Sequence, residues 1–424
     1  MSQQSAASKP SLTGVKIKAR KRAVQAQAKH EPAVFRDQLY KHLETVPEDD
    51  FDGYYNKLVQ AGSTLEFLKY ADAFYEIFFA GGLLQPGGTY VQDGAPSSPF
   101  SILKAKEPVE IDNMKKYIEV LNKLTRRYKY LQRPLEESSL PGLFQYCNRW
   151  TADQRDKFAI AAGLIIAQGL SSTTPLQNLM KDHLVKDMLS LSVITNVFRA
   201  FLADQTMEQL SSALRKGGIK DLLLFLPINK RDPKLLEEHF KKAGLSQVAE
   251  WFIRKQSAAA RDSIVKTFKE LCDDEHRTTD EIIDALKTAL EGLPIATTDF
   301  VSCIWQGIMS NIDWNSRADQ LESLVQREVD KYAPVLEPFC ESAKTQVALI
   351  NAVQVYCYDE TRVLKSFPQL LKILYNKDCI SAQAIIYWHQ KGAKAQGKQH
   401  FLKATEALVK FLEEQEDESE EEEE

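Results

Sequence analysis

The chain lacks the short motifs that mark catalysis. It has no GxxxxGK[ST] phosphate loop, no GxSxG nucleophile elbow and no HExxH zinc helix. Its six cysteines are Cys147, Cys272, Cys303, Cys340, Cys357 and Cys379; no two form a CxxC pair, and no histidine stands at zinc-ligand spacing from them. They read as reduced core thiols of a cytoplasmic protein. No run approaches the roughly 18 apolar residues of a membrane span. Residues 1–10 are polar and lack the apolar core of a signal peptide. No segment alternates with period two over a useful length, so strands are expected to be minor or absent. These absences predict a protein that is not an enzyme, binds no metal or cofactor, and touches no membrane.

What is present is helix and unevenly placed charge. The 424 residues are 44% hydrophobic and 27% charged, ordinary for a globular chain and long enough for two domains. The net charge of −5 conceals oppositely charged ends. Residues 1–30 hold seven Lys or Arg and no acid, and residues 413–424 hold ten acids and no base. Such blocks cannot pack against themselves, so both ends are expected to be disordered tails.

From residue 33 onward the apolar residues recur at helical spacing. Ser63-Thr64-Leu65-Glu66 reads as a capping box opening a helix with a stripe at Leu65, Leu68, Ala71, Tyr75 and Phe78, ended by Gly81-Gly82. Residues 85–100, rich in Pro and Gly, form a long loop. Residues 111–130 make a helix with Met114, Ile118, Leu121 and Leu124 on one face. Thr151 and Gln154 cap another, and Thr278 and Glu281 a later one. Successive helix pairs with short connections predict an all-α architecture of two HEAT-like helical-repeat domains, although no fixed-period repeat is visible. The boundary is placed at residues 227–233 (PINKRDP). The domains are then 33–233 and 245–414, between a basic tail (1–32) and an acidic tail (415–424).

Two regions suggest binding. One runs from Leu374-Tyr375-Asn376-Lys377-Asp378 to Trp388. The other is an amphipathic helix from Phe401, with Leu402, Thr405, Leu408, Val409 and Leu412 on one side, that enters the glutamate-rich end. Carboxylates beside aromatic rings attract ammonium groups, the ring faces adding about 0.5–2 kcal/mol. Trp388 shares an apolar face with Ile385, so core placement and partner contact are both open there. At the other end, Lys16, Lys18, Arg20, Lys21 and Arg22 offer a basic surface for weak RNA contact.

The C-terminal third resembles the W-two domain shared by translation initiation factor five and the epsilon subunit of initiation factor two B, which ends in two aromatic-acidic boxes. The boxes fall here on residues 374–388 and on residues 410–419 with the glutamates after them. The resemblance widens through Lys18-Ala19-Arg20-Lys21-Arg22, Ala80-Gly81-Gly82-Leu83-Leu84-Gln85-Pro86-Gly87-Gly88-Thr89, residues 122–131 (NKLTRRYKYL) and Tyr356-Cys357-Tyr358-Asp359. With these, essentially the full chain is similar to the basic leucine zipper and W-two domain-containing proteins, also called initiation factor five mimics. The zipper itself is absent. Leu58 and Leu65 are seven apart, but the next step lands on Asp72, and a coiled coil needs three or four sustained heptads. A monomer is therefore expected.

The resemblance implies a non-catalytic regulator of translation initiation. It would bind the lysine-rich segment of the initiation factor two beta subunit, and initiation factor three, through its C-terminal domain. It would compete with factor five without the zinc ribbon that promotes GTP hydrolysis. The partner-binding residues it implies are Tyr375, Asp378, Trp388, Phe411, Glu413, Glu414, Glu416, Asp417 and Glu418. The first box departs from the pattern: Asn376, Lys377 and Gln383 stand in it, and Asp378 is its one carboxylate from 375 to 388. The competing readings are a nucleic-acid-binding factor using the basic tail and a helical scaffold with unrelated partners.

Overall fold

The computed structural model describes residues 30–423 apart from 275, 292 and 294; the side chains of 318–319 and 416–423 lie outside the description. Among the described residues the fold is all-α, with one isolated antiparallel bridge between Leu84 and Tyr90 and no strand. The basic residues Lys16, Lys18, Arg20, Lys21 and Arg22 lie outside the described residues. Two compact units are present, Met1–Trp251 and Phe252–Glu424. The division falls within a long helix.

The first unit contains α1 (Pro32–Leu43), α2 (Phe51–Thr64), α3 (Ala71–Ala80), α4 (Ile111–Arg127), α5 (Leu140–Tyr146), α6 (Ala152–Ala167), α7 (Leu189–Phe201), α8 (Met207–Lys216) and α9 (Pro233–Lys242). Helix α10 (Ser246–Cys272) contains the division. Helices α2, α4 and α6 pack in succession, and α7 lies along α6. Gly163 of α6 permits that approach, because a Cβ there would stand 2.4 Å from the Val197 carbonyl oxygen of α7. The capping box at Thr151 forms as its sequence requires: Gln154 N donates to Thr151 Oγ1, and Thr151 N donates to Gln154 Oε1.

Ser63-Thr64 does the opposite of what its pattern suggests. It ends α2, and α3 begins at Ala71. The two hydroxyls bond back to the Gln60 and Ala61 carbonyls, the local competition that makes Ser and Thr poor guides to direction. Leu68, placed on the buried stripe by the sequence, is 61% exposed, and Phe67 takes the core position. Gly81 does terminate α3, with φ +75°. At residues 227–233 a 3₁₀ turn, Ile228–Lys230, precedes α9.

The second unit contains α11 (Thr279–Leu290), α12 (Thr297–Ser310), α13 (Ala318–Leu336), α14 (Ala343–Asp359), α15 (Phe367–Asn376), α16 (Ala382–Tyr387) and α17 (Lys398–Glu423). Each helix contacts the one two places away in the chain, and α12 also contacts α13, α14 contacts α15 and α16 contacts α17. Helices α12, α14 and α16 pack in one row and α11, α13, α15 and α17 in another. These are the two layers of a helical-repeat stack, in which each element buries one face on its neighbours. Between the layers lies a core containing Trp305, Phe300, Val353, Phe367, Leu371, Trp388 and Phe401.

The expected disordered acidic tail differs in backbone: α17 runs on to Glu423. Glutamate is a good helix former, and a helix already nucleated on a packed segment extends without a new nucleation cost.

Candidate functional site

The last three helices decide where the two boxes stand. Helix α15 ends in a tight turn in which Asp378 N donates to the Tyr375 carbonyl and Cys379 N to the Leu374 carbonyl. Asp378 sits there at φ +57°, a left-handed cap position that Asp tolerates better than most residues. Its side chain is exposed, and Tyr375 is half-buried against the core. Lys377 reaches Asp330 at 3.4 Å. The box thus presents one free carboxylate and one half-covered ring.

Trp388 corrects the expectation of partner contact, because it is 0% exposed. Its ring packs on Phe367 at 5.3 Å between centroids, and its Nε1–H donates to Gln354 Oε1 at 3.0 Å. The apolar face it shares with Ile385 turned inward, so the tryptophan holds shape and touches no ligand.

Gln354 escaped the sequence reading. It is fully buried in α14. Besides the Trp388 bond, its Oε1 accepts from Lys394 N at 3.1 Å, and its Nε2 donates to the Lys394 and Gln396 carbonyls at 2.9 and 2.7 Å. One amide therefore fixes the connection from α16 to α17. A glutamine between Val353 and Val355 on a helix was the available signal. Buried amides persist where their bonds are satisfied.

The second box behaves as its periodicity implies. Phe401, Thr405, Val409 and Leu412 are buried, and Leu402 and Leu408 are half-buried. Phe411 points away from this face and is 53% exposed. Glu413 is half-buried and Glu414 is exposed. A spacing of three residues puts Glu414 on the Phe411 face. A ring and a carboxylate one turn apart, at the point where the helix leaves the core, suit an ammonium group. The side chains of Glu416, Asp417 and Glu418 lie outside the described residues, and their backbone continues the helix.

A second acidic surface went unnoticed in the sequence because its parts are distant. In the first unit a groove of about 930 Å³ is lined by seven carboxylates and three lysines. Several of those charges are already met: Lys106 bonds Asp49 at 3.0 Å, and Lys123 bonds Asp52 and Glu119 at 3.2 Å. An incoming lysine would have to displace them.

All six cysteines are free, and all except Cys272 are buried. Burial pushes the Cys147, Cys340 and Cys357 thiols up to about 12 and the Cys303 thiol to about 11. These four are not poised as nucleophiles. Among the described residues, no group of three His, Cys, Asp or Glu is arranged to hold a metal.

Comparison with known proteins agrees with this architecture. The family model of the 5MP1/2 HEAT domain matches residues 17–262, more than half of the chain. The chain belongs to the eIF5-mimic family. A second model, the W2 domain described as eIF4-gamma/eIF5/eIF2-epsilon, matches residues 345–422 of this family member. Eif5-mimic protein 1 of Mus musculus and that of Homo sapiens are each 30% identical over 415 residues, covering 98% of this chain and 98% of the relative. Eif5-mimic protein 2-A of Danio rerio is 29% identical over 417 residues, covering 98% of both. HEAT and W2 domains are non-catalytic types, and the family places the chain among translation-initiation regulators related to eIF5.

Proposed function

We propose that this chain binds the lysine-rich segment of the initiation factor two beta subunit, and initiation factor three, through its C-terminal unit. It competes there with factor five in the cytoplasm and so tunes initiation and start-codon selection without promoting GTP hydrolysis. One observation carries the reading. Helix α17 leaves the core at Leu412 with Phe411 and Glu414 exposed on one face, and ten acids with no base occupy residues 413–424. The surface before it has the wrong sign for lysine. Residues 361–410 hold nine Lys or Arg against two acids, so the load falls on the second box and not on Tyr375 or Asp378. Unscreened carboxylates raise encounter rates with a basic segment and lose that advantage as salt shortens the Debye length.

The test uses the full chain, a fluorescent lysine-rich peptide and a variant with Glu413, Glu414, Glu416 and Glu418 changed to Gln and Asp417 to Asn. The wild-type chain should bind at least about tenfold tighter at low salt, a difference that shrinks as salt rises. Equal affinity at every ionic strength would sink the tail's role. Recovery of factor two and three subunits by the tagged chain supports the partner choice, and recovery of neither favours the scaffold reading. RNA contact through Lys16, Lys18, Arg20, Lys21 and Arg22 is a separate proposal, refuted by an unchanged gel shift when residues 1–30 are removed.

A further inference from the structure

The second unit has a groove that the acidic end does not use. Helices α12 and α14 run side by side in the same direction, since Phe300 in the first turn of α12 meets Phe339 just before α14, and Trp305 further along α12 meets Tyr356 in the last turn of α14. Between them lies a groove of about 560 Å³. Its α14 wall repeats at helical spacing: Val347 and Ala348, Asn351 and Ala352, Val355 and Tyr356, with Lys344 before and Asp359 after. The six between are half-buried, neither packed away nor free. Small side chains, Ala348 and Ala352, with Ser302 opposite, keep the floor low enough for another helix to approach closely.

Two polar groups at this groove have no hydrogen-bond partner. The Trp305 side chain is 0% exposed, lines the groove, and its Nε1–H donates to nothing. The buried Asn351 Oδ1 accepts from nothing, although its Nδ2 donates to the Gly392 carbonyl at 3.1 Å. Buried orphans are rare in native proteins, and each calls for a cause. Both atoms are covered, however, so a helix docked on the surface does not reach them.

The charge on the rim selects the ligand's sign. Asp299 is already held by Arg261 at 2.7 Å. Lys344, Lys394 and Asp359 are exposed and carry no ion pair among the described residues, so two unpaired cations stand against one unpaired carboxylate. We propose that this groove docks an acidic amphipathic helix of a partner protein, with a small-residue apolar seam against α14 and carboxylates toward Lys344 and Lys394. From Lys344 to Asp359 the wall is about 22 Å long at 1.5 Å per residue, which suits a helix of about fifteen residues. The ligand is opposite in charge to the lysine-rich partner of the acidic end, so the two surfaces can be occupied by different proteins.

The probe is a fluorescein-labelled helical peptide of about fifteen residues with Ala and Leu at i, i+3, i+4 and i+7 and Glu on the flanks. A matched peptide carries Lys in place of Glu. Anisotropy with the full chain should show binding of the acidic peptide and at least about tenfold weaker binding of the basic one. Lys344→Glu with Lys394→Glu should reverse that preference, and Ala352→Trp should abolish binding by filling the floor. Unchanged thermal melts of both variants show that the unit still folds; should Ala352→Trp melt early, the exposed lysine pair alone decides. Deleting residues 413–424 should leave acidic-peptide binding intact. No binding of the acidic peptide, binding indifferent to the lysine reversal, or binding lost with residues 413–424 would each overturn the proposal.

Discussion

Replacing Glu76 by Gln should stabilise the protein at pH 8 and do little at pH 5. Glu76 lies on α3, largely buried beneath the loop that follows it, and its Oε2 accepts the Leu84 N–H at 2.9 Å. Gln85, Pro86, Gly87, Gly88 and Tyr146 close over it, around a cavity of about 350 Å³ shared with Asp72. Burial pushes its carboxyl from 4.5 up to about 7, the Leu84 N–H opposes the rise, and the Asp72 charge adds to it. The native state therefore holds this proton more tightly than the unfolded chain does. Below about pH 4.5 both states are protonated, and the group imposes no ionisation cost on folding. Between about 4.5 and 7 the unfolded chain releases the proton first, and stability falls as pH rises. At about 1.36 kcal/mol per unit, the full span costs roughly 3 kcal/mol above pH 7, and water entering the cavity lowers it toward 2. Glutamine keeps the shape and the acceptor for Leu84 without the charge. Urea unfolding of the full chain, followed by tryptophan emission from pH 5 to 8.5, measures the difference. A gain of about 2–3 kcal/mol at pH 8 that falls below about 1 kcal/mol at pH 5 is expected. An equal shift at both ends, or a variant less stable at pH 8, refutes the reasoning.

Three further substitutions probe the packing. Trp388→Ala should cost about 3–5 kcal/mol in a thermal melt, whereas Trp388→Phe should cost about 1–3, because it keeps most of the packing and loses the bond to Gln354; a neutral alanine variant would place the ring outside the core. Gly163→Ala should lower stability by at least about 1–3 kcal/mol, since its Cβ would stand 2.4 Å from the Val197 oxygen and 2.8 Å from Ala200 Cβ; an unchanged melting temperature contradicts the close α6–α7 approach. Thr151→Ala should cost about 1 kcal/mol by opening the capping box, with Thr151→Ser recovering most of it.

Much of this was legible in the chain. Hydrophobic spacing is set by the 3.6-residue turn, so it marks helices whatever they later pack against. Met114, Ile118, Leu121 and Leu124 were placed on a buried face and are buried. Thr278 and Glu281 close a capping box because both partners lie within one turn. The missing zipper was equally local: α2 stops at Thr64, and Leu58 is in the core. Composition alone set the charge of residues 413–424, since ten acids without a base need no fold to be acidic.

Direction, depth and pairing over distance were decided elsewhere. Ser63-Thr64 could open or close a helix, and the burial of Phe67 settled which. Trp388 suited a surface or a core until Phe367 and Gln354 met it from other helices. The groove between α12 and α14, with its two unpartnered polar groups, joins residues some fifty positions apart that no short motif connects. A sequence records what each residue can do within its own turn of helix. Which face is left open is a property of how the layers stack, and only the tertiary structure holds it.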